Sequence, residues 1–149
     1  MDHKYMYRAH ARWTVHRRGI VDGENVSGVI DFSSPPEFGG EAGLWTPEHF
    51  LLAAIGSCYV ATFRGVAEAS RLDFQAIEVT VEGLIEKKDG SLRFTKIFLR
   101  PEATINRPDD QDRALRVVEK AERVCLVARS LSCEVVMEPR IMVEAPVTI

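Results

Sequence analysis

Cysteine is scarce in this sequence and poorly placed for a structural framework: three in 149 residues, Cys58, Cys125 and Cys133, odd in number and far apart. That pattern excludes the disulfide-stapled scaffold of a small secreted domain. It points to a reducing, cytoplasmic setting, where any disulfide would be transient. A large excess of one charge is also missing. Nineteen basic residues against 22 acidic ones leave a net charge of −3, with no electrostatic reason to expect nucleic acid or an anionic membrane as partner. The longest uncharged apolar stretch, Phe50 to Phe63, has 14 residues, which suits a buried core helix better than a membrane span. No apolar segment follows the start Met-Asp-His-Lys-Tyr-Met-Tyr-Arg, so no cleavable signal is expected. The four histidines (His3, His10, His16, His49) have no cysteine or acid at metal-ligand spacing, and no metal or organic cofactor is expected. Paired C-x-x-C cysteines, the G-x-G-x-x-G fingerprint, the phosphate-binding glycine-lysine loop and the G-x-S-x-G elbow are all absent. Nucleotide and serine-hydrolase chemistry therefore lack their usual signatures.

What is present is a run of ordered secondary-structure signals. Tyr5, Tyr7, Ala9, Ala11, Trp13 and Val15 alternate with polar residues, the period of a half-buried strand. Arg17-Arg18-Gly19 and Asp22-Gly23 read as turns, with a second strand near Val26 to Phe32. Ser33 to Trp45, rich in proline and glycine, reads as a loop. Thr46-Pro47-Glu48 then opens a helix: a capping hydroxyl, proline at the first position, an acid in the first turn. The helix is expected to reach about Ser70, and its middle is apolar on every side, so it is expected to be central and buried.

Two alternating segments follow around a Lys88-Asp89-Gly90 hairpin turn, with a phase shift that predicts a bulge near Thr95-Lys96. A second helix opens at Pro108-Asp109-Asp110. A last strand carries Cys133, Val135, Met137, Ile141 and Val143 on one face. The order β-β-α-β-β-α-β is that of an α+β fold, read as a single domain over residues 1–149. A helix this apolar, left open on one side, would cost roughly 25 cal/mol per Å² of exposed apolar surface. A homodimer that covers it is the simplest remedy.

Two cysteines stand in suggestive surroundings. Cys58 lies mid-helix behind Gly56 and Ser57, and a glycine inside a helix costs about 1 kcal/mol against alanine. It therefore asks for a reason, and open access to the sulfur is one. Cys125 ends the second helix within four residues of Arg123 and Arg129, cations that would favour a thiolate. Cys133, on an apolar strand face, reads as core.

These residues carry a resemblance. Thr46-Pro47-Glu48-His49-Phe50-Leu51-Leu52-Ala53-Ala54-Ile55-Gly56-Ser57-Cys58 resembles the T/N-P-E-x-L-x-A-A-x-x-x-C helix of the OsmC/Ohr family (osmotically inducible protein C, organic hydroperoxide resistance), in its broader OsmC-like branch. Ala121 to Leu131 resembles that family's x-x-C-P-V-S-R-S/A-L motif, although Leu126-Val127-Ala128 stands where Pro-Val-Ser is frequent. The Pro35 to Gly40 loop and the Arg17-Arg18-Gly19 turn fit as well, so the likeness covers essentially the whole chain. It implies an intertwined homodimer with the two cysteine helices packed centrally. It also implies that Cys58 is the peroxidatic nucleophile, Cys125 its resolving partner, Arg17 or Arg18 the thiol-activating cation, and Glu48 the carboxylate that holds that cation.

The implied activity is a thiol-dependent peroxidase acting on organic hydroperoxides or hydrogen peroxide. Its cycle runs through a Cys58 sulfenic acid and a Cys58–Cys125 disulfide, reduced by an external dithiol. The apolar neighbours Phe50, Leu51, Ile55, Tyr59 and Phe63 favour an organic substrate. Two alternatives belong to other classes: a non-catalytic dimer of the same fold that senses redox state or binds a small apolar ligand, and, further away, a hot-dog acyl thioesterase. Within one ideal helix Glu48 and Cys58 are separated by about 15 Å along the axis and by about 80° around it. A site shared between two chains, with Glu48 of one serving Cys58 of the other, is therefore expected.

Overall fold

The structure, a computed structural model, describes residues 3–144. Two compact units divide the chain, Met1–Leu51 and Leu52–Ile149, and a helix, α1 (Pro47–Ala69), runs through their boundary.

The first unit holds three antiparallel strands in the order β1 (Ala9–Val15), β2 (Arg18–Gly23), β3 (Ile30–Ser33). Three strands therefore precede the helix, where the sequence predicts two. The residues read as turns, Arg18-Gly19 and Asp22-Gly23, are the two ends of β2. Gly19 explains the misreading. It is paired to Trp13 and Phe32, and a Cβ there would stand 2.5 Å from the Phe32 ring, so this glycine marks a close approach inside a strand. The turn itself is made by His16, at φ 51°, and Arg17, so the first of the three residues predicted for it is in place. β1 corrects a second expectation: it is exposed along its whole length, with Trp13 71% accessible, and so is not half-buried in the single chain. The Ser33 to Trp45 segment is a loop, as predicted, around a 3-10 turn at Pro36–Phe38.

α1 begins as its sequence dictates. Thr46 Oγ1 accepts the His49 backbone N–H at 3.1 Å, which satisfies one of the orphan donors of the first turn.

In the second unit, β4 (Phe74–Lys88) and β5 (Ser91–Ile105) form a long hairpin closed by Asp89 and Gly90, both at positive φ (52° and 84°). This pair of left-handed residues is the mirror-image turn that matches strand twist. Leu84 pairs with Lys96 and Ile85 with Phe94, so Thr95 is the extra residue of the predicted bulge. After a 3-10 turn at Pro108–Asp110 come α2 (Gln111–Val124) and a short α3 (Leu126–Arg129).

The predicted last strand is two, β6 (Glu134–Met137) and β7 (Arg140–Val143), both parallel to β5. Pro139, in the gap between them, has no N–H to carry the ladder on, and Pro101 lies opposite it on β5. The Leu99 carbonyl accepts from Glu138 and the Ile105 carbonyl from Glu144, so odd-numbered residues of this stretch turn their backbone polar groups toward β6 and β7. Pro101 has no N–H to offer there, and the partner strand breaks beside it.

The core is built on one stripe of α1. Ile55, Tyr59, Phe63 and Ala67 are each 0% exposed, at the four-residue spacing of a helix face. Ile97, Leu99, Ala103 and Ile105 of β5, with Ala114, Val117, Val118 and Ala121 of α2, complete it. Tyr59 donates its O–H to the Val118 carbonyl at 3.0 Å, and Phe63 meets Phe74 edge to face at 5.1 Å. The central helix is therefore buried on one side only, against the expectation of burial all round. Ala53, Ala54, Ser57 and Ala61 remain exposed. By length and composition alone α1 is also apolar enough to cross a membrane.

Candidate active site

Cys58 and Cys125 come together in the second unit, while Cys133 stands apart from them in role. All three are free thiols, with Cys58 half-buried and Cys125 fully buried. Cys125 ends α2 and at once precedes α3, with an extended backbone (φ −67°, ψ 112°) that breaks the helical path between them. The break leaves the first N–H groups of α3 without intrahelical partners. Those of Val127 and Leu126 serve the Cys58 sulfur.

The electrostatics of the pair follow from these contacts. Burial pushes the Cys58 thiol up. Hydrogen bonds to its sulfur from the Val127 N–H, the Cys125 thiol, the Thr62 hydroxyl and the Leu126 N–H more than offset this, and its pKa falls below the ordinary thiol value. Thr62, one turn along α1, lies 3.9 Å from Cys58 Sγ. Cys125 moves the other way. Burial, and then its hydrogen bond to Cys58 and the charge there, outweigh the Ala128 and Val127 N–H groups and push it up to about 11. Of the two, Cys58 is therefore the more readily ionised and Cys125 the one that holds its proton. The lowered pKa expected at Cys125 from Arg123 and Arg129 is found instead at Cys58, because burial raises Cys125 while hydrogen bonds lower Cys58.

Other expectations shift as well. Gly56 packs against β4: a Cβ there would meet Val81 at 3.3 Å and Val79 at 3.7 Å. Its role is close helix–strand approach, not access to the sulfur. Cys133 is half-buried and lies one residue before β6, so it is not a core position. Ile55, Tyr59 and Phe63 belong to the core stripe and are 0% exposed. Phe50, in the first unit, stacks on Trp45 at 5.8 Å.

In the first unit the two arginines differ. Arg18 is held by Glu41 in a two-pronged contact, Nε to Oε2 at 2.7 Å and Nη2 to Oε1 at 2.5 Å. Arg17 lays its guanidinium over Gly39, with Cζ 3.5 Å from where a Cβ would be, so that Gly39 leaves it room. Glu48 Oε1 is buried and has no hydrogen-bond partner among the described residues.

The N–H groups of Leu126 and Val127 and the Thr62 hydroxyl escaped sequence reasoning. Thr62 had a signal, four residues after Cys58 on a helix. The backbone donors had none, since they depend on where α2 stops.

Comparison with known proteins places these elements. Residues 39–140 match the family model of the OsmC-like proteins. The uncharacterized protein YmaD of Bacillus subtilis is 26% identical over 140 residues, 92% of each chain. Among solved structures, the OsmC-like protein of unknown function VCA0330 from Vibrio cholerae superposes with a TM-score of 0.82 at 21% identity, covering 91% of this chain and 99% of that one. An organic hydroperoxide resistance protein OsmC from Legionella pneumophila does so at 0.76 and 22%, covering 95% and 99%. At these identities the structural likeness speaks for the fold.

Proposed function

Because the chain belongs to the OsmC-like family, we propose that it is a thiol-dependent peroxidase acting through Cys58 and Cys125. The observation that carries this reading is the contact between the two thiols: a half-buried Cys58, whose pKa is lowered and which can attack, beside a buried Cys125, whose pKa is raised and which can follow. The Cys58 thiolate attacks one peroxide oxygen; the S–O bond forms, the O–O bond breaks, and the departing alkoxide takes a proton to leave as alcohol. Cys125 then attacks the sulfenic sulfur, the S–S bond forms, and the hydroxyl leaves as water. An external dithiol restores both thiols with two electrons and two protons. No step calls for a metal or an organic cofactor.

Arg17 is the better candidate for the activating cation, since Arg18 is already committed to Glu41. A buried carboxylate oxygen without a donor is costly, and a guanidinium brought to Glu48 would satisfy it. The preference for organic hydroperoxides rests on the relatives, one of which is an organic hydroperoxide resistance protein. Of the five apolar residues predicted to line the site, Ile55, Tyr59 and Phe63 are buried in the core. A homodimer is part of this reading, supported by the open apolar faces of β1 and α1. So is a cytoplasmic location, where a dithiol reductant is at hand.

Peroxide consumption by the reduced protein, with a panel of hydroperoxides and a dithiol, tests the proposal. Wild type should turn over and Cys58→Ser should not. Cys125→Ser should form a sulfenic acid with one equivalent of peroxide and stop there. Full activity in Cys58→Ser would overturn the mechanism. Inert wild-type thiols would favour the non-catalytic ligand-binding or redox-sensing alternative, and thioester hydrolysis would return the acyl thioesterase to consideration.

A further inference from the structure

α2 carries a stripe of cations that the thiol chemistry does not use. Arg113, Arg116, Lys120 and Arg123 follow one another at spacings of three, four and three residues, which places them side by side on one helix face. Like charges at these spacings oppose helix formation. Glu119 stands in pairing position to both Arg116 and Arg123. Yet none of the four cations has an ion pair within 4.0 Å among the described residues; Arg113 donates to the Arg71 carbonyl at 3.3 Å. Elsewhere Arg8, Arg18, Arg64, Arg100, Arg107 and Arg140 have carboxylate partners, while Arg12, Arg17, Arg71, Arg93 and Arg129 have none among the described residues but are not grouped on one helix face.

The stripe also borders a concavity. All four cations line a cavity of about 340 Å³ between α1 and α2, with Val66 and Val117 as apolar lining and Glu119 as its one acid. Its volume falls at the lower end of the small-ligand range. Guanidinium groups that converge on such a space present forked donors suited to carboxylate or phosphate oxygens.

We propose that the groove between α1 and α2 binds a small organic polyanion, a molecule bearing two or more carboxylate or phosphate groups, at a site separate from the Cys58–Cys125 pair. The cations supply the anion contacts, and the two valines take the apolar body of the ligand. A single charge would leave most of the stripe unneutralised, which is why a multiply charged ligand fits best.

Isothermal titration of the full chain at low ionic strength, with pyrophosphate and with citrate as probes, tests this. Saturable binding of one probe or both, weakening steeply with added sodium chloride, is expected. A preference for pyrophosphate would assign a phosphate ligand, a preference for citrate a carboxylate one. Arg116→Glu/Lys120→Glu should lose about tenfold or more in affinity. The charge-matched control Lys87→Glu/Lys88→Glu, on the exposed end of β4, should bind like wild type. Unchanged binding in the groove variant, an equal loss in the control, or no saturable binding to wild type would overturn the proposal. Sedimentation of the groove variant guards against another occupant: if it alone fell from dimer to monomer, the stripe would be a contact between chains and the ligand site would be lost. Thermal midpoints for both variants near that of wild type show that a loss of binding is not a loss of fold.

Discussion

The Cys58 and Cys125 thiols are shifted in opposite senses, Cys58 down and Cys125 up, and that ordering can be measured. A thiol whose pKa is lowered keeps its thiolate to lower pH, so alkylation of Cys58 should fall off only as pH drops through a midpoint below the ordinary value of 9.0. Cys125, pushed up to about 11, should resist the reagent across neutral pH. The Cys125 thiol is one of the donors to Cys58, so Cys125→Ala should move the Cys58 midpoint upward, while Thr62→Val should do so by a smaller step. Peptide mass mapping of iodoacetamide adducts against pH checks both. A downward move in Cys125→Ala would contradict the hydrogen-bond assignment. Cys133, half-buried and outside β6, should tolerate alanine, with peroxide kinetics unchanged and at most about 1 kcal/mol lost in chemical denaturation.

At the scale of elements, caps and close approaches fix where each segment starts. Thr46 holds the N-terminus of α1 through the His49 N–H and also meets His49 Nδ1 at 2.8 Å. Thr46→Ala should cost about 1 kcal/mol, read as a shift in denaturation midpoint, and Thr46→Ser should restore most of it. Gly40 is stricter. A Cβ there would fall 1.6 Å from the Ser34 carbonyl oxygen, a backbone atom that cannot swing aside. Gly40→Ala should therefore destabilise the loop that sets Gly39 beneath the Arg17 guanidinium, seen as faster proteolytic nicking between Ser33 and Trp45. A loop as resistant as wild type would show that the backbone relaxes at little cost.

For the whole molecule the open question is the second chain. β1 offers Trp13 and Val15 to solvent, and α1 offers Ala54, Ser57 and Ala61, small residues that admit a close helix neighbour. A dimer covering these faces would be concentration-dependent in sedimentation, and Ala61→Glu should weaken it. If the active site is shared, a mixed dimer with Glu48→Ala on one chain and Cys58→Ser on the other keeps one site intact, because both changes fall in the same composite site. About half the wild-type turnover is then expected by that geometry. Activity no higher than that of a Glu48→Ala homodimer would mean that each site is built from a single chain.

Local chemistry made much of this chain legible from its sequence. The Thr46-Pro47-Glu48 cap, the Asp89-Gly90 turn and the Thr95 bulge each follow from a few neighbouring residues, and each stands where those residues put it. The motif around Cys58 and Cys125 named the pair for the same reason. What needed the tertiary structure depends on contacts between distant segments. Gly19 reads as a turn until Phe32 is laid across it, and Gly56 as an opening until Val81 arrives. The ionisation of the thiols is the clearest case. Arg123 and Arg129 flank Cys125 in sequence, yet charge follows distance and dielectric in space. The break between α2 and α3 turns two backbone N–H groups to Cys58 and buries Cys125, so the pKa falls at Cys58 and rises at Cys125.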